Sequence, residues 1–147
     1  MQRHTMALTF QEDGLTFQYP ENWRLERNDN ETGWTVSLES PETAFFMITF
    51  DGDMPDAEAM AETALAALKE EYPGLEADSC LDSVAGQPAF GHEIRFFSFD
   101  LTNTCWTRSF YCGGGTVLVL WQANDLELEH VEPVLKAICA SFKVEED

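Results

Sequence analysis

A chain of 147 residues suffices for one domain burying about 68–70% of its unfolded surface, and 44% hydrophobic content makes disorder a poor reading. Twenty-seven acidic residues against eight basic ones leave a formal net charge of -19, a field that repels phosphate backbones and anionic headgroups. Nucleic-acid binding and membrane insertion are disfavoured, which leaves a basic protein partner or plain solubility as the work of the charge. The longest apolar runs, 44–48 and 117–121, are strand-sized beside the roughly 20 residues of a spanning helix. The start, "MQRHTMALTF", has no apolar h-region, so a cytoplasmic protein is expected. A single domain over 1–147 is expected, frayed at 1–6 and 145–147.

The first third reads as strands. "ALTF" leads to a turn at Glu12–Gly14, and "LTFQY" alternates Leu15, Phe17 and Tyr19 with Thr16 and Gln18. Pro20 removes a ladder donor and Glu21-Asn22 supply turn chemistry before "WRLER" resumes the alternation. A polar loop, "NDNETG", separates it from "WTVSLES", where Trp34, Val36 and Leu38 share a face. After Pro41, "TAFFMITF" is apolar on both sides, which predicts an interior strand covered on both faces.

The period then changes. Ala57, Met60, Ala61, Ala64, Leu68 and Tyr72 recur at helical spacing, with Pro55 or Asp56 to start the helix and Pro73-Gly74 to stop it. Its outer face carries Glu58, Glu62, Lys69 and Glu70. "LEADSCLDSV" and "AFGHEIRFFSFD" form one hairpin through Ala85–Pro88. "TCWTRSFYC" and "TVLVLWQA" form another through Gly113–Gly115, whose glycines are expected to supply positive φ. Val131, Val134, Leu135, Ile138 and Phe142 stripe a closing helix. Pro133 predicts that this helix begins near Glu132, after a separate turn over 125–130. Hairpins without a βαβ rhythm imply an α+β fold, an antiparallel sheet with helices on both faces.

Catalytic signatures are absent: no G-x-S-x-G, no H-E-x-x-H, no phosphate-binding loop. His4, His92 and His130 are dispersed and read as surface or packing residues. Cys80, Cys105, Cys112 and Cys139 contain no C-x-x-C pair. Cys105 and Cys112, about 23 Å apart along one strand and on opposite faces, cannot bridge each other, so reduced, packed thiols are the default. Asn28, Asn30, Thr32, Gly33 and Glu39 mimic the spacing of a calcium loop, but their strand-like flanks make a hairpin loop the better reading. Asp51, Asp53 and Asp56 read as a turn and a helix cap. No metal and no cofactor are expected.

Most of Trp23, Trp34, Trp106 and Trp121 should pack in the core. Trp106 and Arg108 share a strand face. If the helices leave that face partly open, the pair is a candidate contact for a partner, as is the acidic pair Glu58 and Glu62.

The phrases "GLTFQYPENWRLE", "TVSLESPETAFFMITFD", "VAGQPA", "WTRSFYCGGGTVLVLW" and "VLKAICASFKV", in that order across 10–144, resemble the PsbP-like superfamily. That group includes an extrinsic photosystem II subunit, a Ran-binding import factor and bacterial DcrB-type domains. Tyr19, Pro20 and Trp23 match its early strand-to-strand bend, Gly86 and Ala89 its hairpin, Ser141 and Phe142 the end of its last helix. The resemblance implies an α/β/α sandwich, no catalytic residues, and a non-enzymatic role as an interaction or accessory module. The chain departs from the lipoprotein members in having no cysteine before Cys80. The alternative is a small-molecule binder, or an unrecognised enzyme, with a pocket between sheet and helix.

Overall fold

The computed structural model describes residues 8–145. In chain order the elements are β1 (Leu8–Glu12), β2 (Leu15–Tyr19), β3 (Arg24–Asp29), β4 (Gly33–Glu39), β5 (Phe45–Asp51), α1 (Ala57–Glu71), β6 (Glu76–Val84), β7 (Gln87–Ser98), β8 (Leu101–Cys112), β9 (Gly115–Asn124), α2 (Leu128–Ala140) and β10 (Lys143–Val144). Seven strands form one antiparallel sheet in the order β3-β4-β5-β9-β8-β7-β6, and β1-β2-β10 form a second, small one. This is the α+β architecture the hairpin rhythm implies.

Both layers follow from alternation. On one face of the large sheet Trp34, Val36, Leu38, Phe46, Ile48, Phe50, Val117, Val119 and Trp121 are buried against Leu15 and Phe17 of the small sheet and Val131, Val134, Leu135 and Ile138 of α2. On the other face Ile94, Phe96 and Cys105 are buried under Leu65 of α1, with Leu68 and Tyr72 packed at the margin. Leu65 lies outside the stripe predicted for α1, while Met60 and Ala64 of that stripe are only half-buried. Asp56 caps this helix by accepting from the Ala59 amide (3.0 Å), and Asp51 accepts from the Asp53 amide (2.9 Å).

The opening bend is architectural. Pro20 and Trp23 are buried, and the Trp23 amide donates to the Pro20 carbonyl (3.1 Å). Asn30 accepts from the amides of Thr32 (3.0 Å) and Gly33 (2.8 Å), a side-chain-closed hairpin loop between β3 and β4.

Three expectations are corrected. The interior strand β5 buries one face only: Phe45, Met47 and Thr49 on the other stay half-buried because α1 lies over β7, β8 and β9. α2 begins at Leu128 and keeps Pro133 inside it. Its first turn is anchored instead by Glu127, whose carbonyl receives the amides of His130 (3.2 Å) and Val131 (3.0 Å). The Gly113-Gly114 turn uses no positive φ. Glycine is required at Gly115 by close approach, since a Cβ there would lie 2.3 Å from the Asp51 carbonyl oxygen. Beside β10 the Glu145 amide donates to the Gly14 carbonyl (2.8 Å). Residues 1–7, His4 among them, and 146–147 lie outside the described residues.

Candidate functional site

α1 and α2 sit on opposite faces and are staggered along the sheet. On the α2-side face of β6 and β7, Val84 and Ala89 at one end are buried in the cluster that contains α2, while Asp78, Asp82, Glu93 and Arg95 stay exposed. Since Ile94 and Phe96 are buried under α1, the alternation of β7 sends Glu93 and Arg95 to the open side. Strand pairing places Asp78 beside Glu93 and Asp82 beside Ala89 on the same surface.

Where this open strip meets the flank of α2 there is a pocket of about 450 Å³. Trp106 of β8 and Trp121 of β9 are paired across the strands. Their rings stack with centroids 6.1 Å apart and planes 13° from parallel. Thr104 extends this floor. Glu93 and Arg95 stand on one side, and Glu132, Lys136 and Cys139 of α2 on the other.

Trp106 is held in place by Arg108. The guanidinium carbon lies 4.4 Å from the Trp106 ring centroid, an attractive cation–π geometry. Arg108 is 2% exposed. Its Nε donates to Asp82 Oδ1 (2.8 Å), Nη2 to Asp82 Oδ2 (3.0 Å), and Nη1 to the Thr107 carbonyl (2.8 Å). Burial works against its charge, but the Asp82 carboxylate outweighs that and keeps it protonated. Gly91, the strand partner of Arg108, has no room for a side chain: a Cβ would sit 1.8 Å from the Thr107 carbonyl oxygen.

The four candidate contact residues do not converge. Trp106 and Arg108 are adjacent, yet Arg108 is a buried support and only Trp106, half-buried, keeps some exposed surface. Glu58 and Glu62 belong to α1, on the far side of the sheet. There Glu62 Oε1 lies 3.3 Å from Nε2 of the buried His92. Trp23, Trp34 and Trp121 are core residues.

The pocket offers binding groups and no activated nucleophile. Burial pushes the Cys139 thiol up to about 11 and the Cys105 thiol up to about 12, so both are protonated at neutral pH. All four cysteines are unbridged. Among the described residues no group of three or more His, Cys, Asp or Glu side chains is placed to hold a metal ion. No described helix is long and apolar enough to cross a membrane.

Sequence reasoning missed the second buried charge, Glu127, which is 3% exposed. Its carboxylate accepts from the amides of Thr43 (3.2 Å), Ala44 (3.1 Å) and Asn124 (3.2 Å), and from the Thr43 hydroxyl. Nothing in "NDLELEH" separates it from its acidic neighbours, because every partner is supplied by tertiary packing or by the end of β9.

No family model and no curated protein sequence matches the chain. Solved structures do. Cyanobacterial PsbP (CyanoP) from Synechocystis superposes with a TM-score of 0.62 at 14% identity, covering 93% of this chain and 91% of that one. LpqN, involved in cell envelope biogenesis of Mycobacterium tuberculosis, gives 0.60 at 14%, covering 92% and 87%. A protein from Bacteroides thetaiotaomicron gives 0.65 at 11%, and this chain, 97% of it aligned, covers 50% of that protein's length. The likeness extends over almost the whole chain and is one of fold: the chain has a PsbP-like fold.

Proposed function

We propose that this domain is a non-enzymatic binding module that docks a protein partner on the open half of its sheet, with the pocket beside α2 as the anchor point. The observation that carries the reading is Trp106. A half-buried indole on a pocket floor, fixed from behind by a buried and ion-paired arginine, is the kind of pre-organised aromatic that dominates binding energy at interfaces. The surrounding strip is charged and polar, as the rim of an interface is. A net charge of -19 favours a basic partner.

A second reading has one observation behind it. The pocket volume, about 450 Å³, falls within the roughly 300–1,000 Å³ of small-molecule sites.

The test is comparative capture from the native host with tagged wild-type protein and Trp106→Ala, both first shown to unfold at the same denaturant midpoint. A partner retained by the wild type and lost at least tenfold from Trp106→Ala supports the reading. Equal retention by both proteins overturns it. Loss of a bound small molecule, detected by native mass spectrometry, with no protein partner would move the function to the second reading.

A further inference from the structure

We propose that the group this pocket accepts is a cationic side chain, an arginine or lysine presented by a basic segment of the partner. This rests on the docking reading above and supplies its chemistry.

Two carboxylates face the pocket from different walls with capacity to spare. Glu93 of β7 keeps 53% of its side chain exposed, and its polar contacts are Arg108 Nη2 at 3.5 Å and Cys80 Sγ at 3.6 Å. Glu132 of α2 keeps 40% exposed, with Lys136 Nζ at 3.8 Å. Each contact lies at the long limit of a hydrogen bond or ion pair, so neither carboxylate is committed. The basic residues of the lining are less available to an anion. Arg95 is paired with Asp78 (3.3 Å), and Lys136, 71% exposed, stands at the pocket margin beside Glu132.

Between the carboxylates lie two indoles. That Trp106 accepts a guanidinium at its ring is already visible in Arg108. Arg108 and Trp121 already cover parts of this ring, and an incoming guanidinium would meet the indole surface they leave open, with carboxylates to either side, the combination that recognises organic cations. A carboxylate or phosphate arriving there would face Glu93 and Glu132 within the field of a strongly acidic chain.

Indole N–H resonances of labelled protein report directly on the site, with Trp23 and Trp34 as core controls. The probes are three blocked pentapeptides, Ala-Ala-Xaa-Ala-Ala, with Xaa arginine, its neutral isostere citrulline, or glutamate. The arginine peptide should shift the Trp106 and Trp121 resonances with millimolar affinity, weakening several-fold as salt rises from about 0.05 to 0.5 M. Citrulline should bind at least about fivefold more weakly, and Glu93→Gln and Glu132→Gln should each weaken arginine binding about threefold or more, on the scale of an exposed charge contact. Citrulline or glutamate binding as tightly as arginine, or no shift at Trp106 and Trp121 at saturating peptide, overturns the inference. The two proposals fail separately. Partner capture that depends on Trp106 while citrulline matches arginine removes the cation and keeps the pocket. Arginine selectivity with capture indifferent to Trp106 does the reverse.

Discussion

Replacing Glu127 with alanine tests whether one buried carboxylate clasps the β4–β5 turn to the β9–α2 turn. The substitution strands three amides, those of Thr43, Ala44 and Asn124. Thr43 is exposed and its amide can turn to water, whereas Ala44 is 1% exposed and its amide cannot. One buried unsatisfied donor costs roughly 1–3 kcal/mol, and the lost charge-assisted bonds to the other two add roughly 1–2 kcal/mol. The expected loss is about 2–5 kcal/mol, or roughly 5–15 °C in Tm for a domain of this size. Urea unfolding at neutral pH measures it, with the exposed Glu129→Ala on the same helix as the control, expected within about 0.5–1 kcal/mol of wild type.

The pH dependence adds a second arm. Burial pushes the Glu127 carboxyl up, but the hydrogen bonds from Thr43, Asn124 and Ala44 outweigh it and hold the group below its ordinary value of 4.5. A depressed carboxyl stabilises the fold fully above the unfolded value and loses that contribution as pH falls through the lower folded value. The stability gap between wild type and Glu127→Ala should therefore be flat near neutrality and narrow only below about pH 4.5. A loss smaller than about 1 kcal/mol at neutral pH, or a gap that widens on acidification, refutes the clasp.

Trp23→Ala should cost about 3–5 kcal/mol in chemical denaturation, because the indole is 6% exposed beneath the bend; an unchanged midpoint with lost partner binding would make the bend a binding motif instead. Phe99, 96% exposed at the tip of the β7–β8 hairpin, holds φ at 53°, a conformation that costs a bulky residue roughly 1–2 kcal/mol. Phe99→Asn should raise stability by about 1 kcal/mol in thermal unfolding, and a loss would show that the phenyl ring makes a contact the fold needs. For a basic partner, Glu93→Gln with Glu132→Gln should slow association in stopped flow more than Glu58→Gln with Glu62→Gln, since the latter pair lies behind the sheet. The difference should fade as the screening length drops from about 10 Å at 0.1 M salt to 3 Å at 1 M, and equal effects would place the contact elsewhere.

What the sequence disclosed is what short-range chemistry dictates. α1 announces itself through Asp56 and Pro73, and the β6–β7 hairpin through Ala85-Gly86, both at positive φ. Trp23 and Pro20 are legible as a packed bend for the same reason. What stayed hidden depends on partners far along the chain. β10 exists because Lys143 and Val144 pair with Thr16 and Leu15, and two residues have no periodicity of their own. "TAFFMITF" is apolar on both sides, but which side is covered depends on where α1 lands. Arg108 looked like a surface contact because its strand position cannot reveal Asp82 waiting on β6, 26 residues earlier.

The pocket lies where it does for a reason of dimensions. Seven strands at about 4.8 Å spacing make a sheet about 29 Å wide, while a helix about 10 Å across covers roughly two or three of them. One helix on each face, staggered, cannot cover both faces, and the small sheet extends coverage over β3, β4 and β5 and the β8–β9 turn. The composition of the strands already follows this division. Where α2 and the small sheet lie above, the inward residues are Phe46, Ile48 and Val119; on the uncovered strip of the same face they are Asp78, Asp82, Glu93 and Arg95. Trp106 breaks the pattern, a large apolar side chain at the boundary where neither helix seals it. A sequence selected only for solubility would be expected to place a polar residue there, as it does one pair along at Thr104. The indole packs against the core beside Trp121 and is fixed by a buried arginine that needs Asp82 on one side and the bare backbone of Gly91 on the other. An indole held this way at the edge of the covered face suits the boundary to seat a partner that completes it.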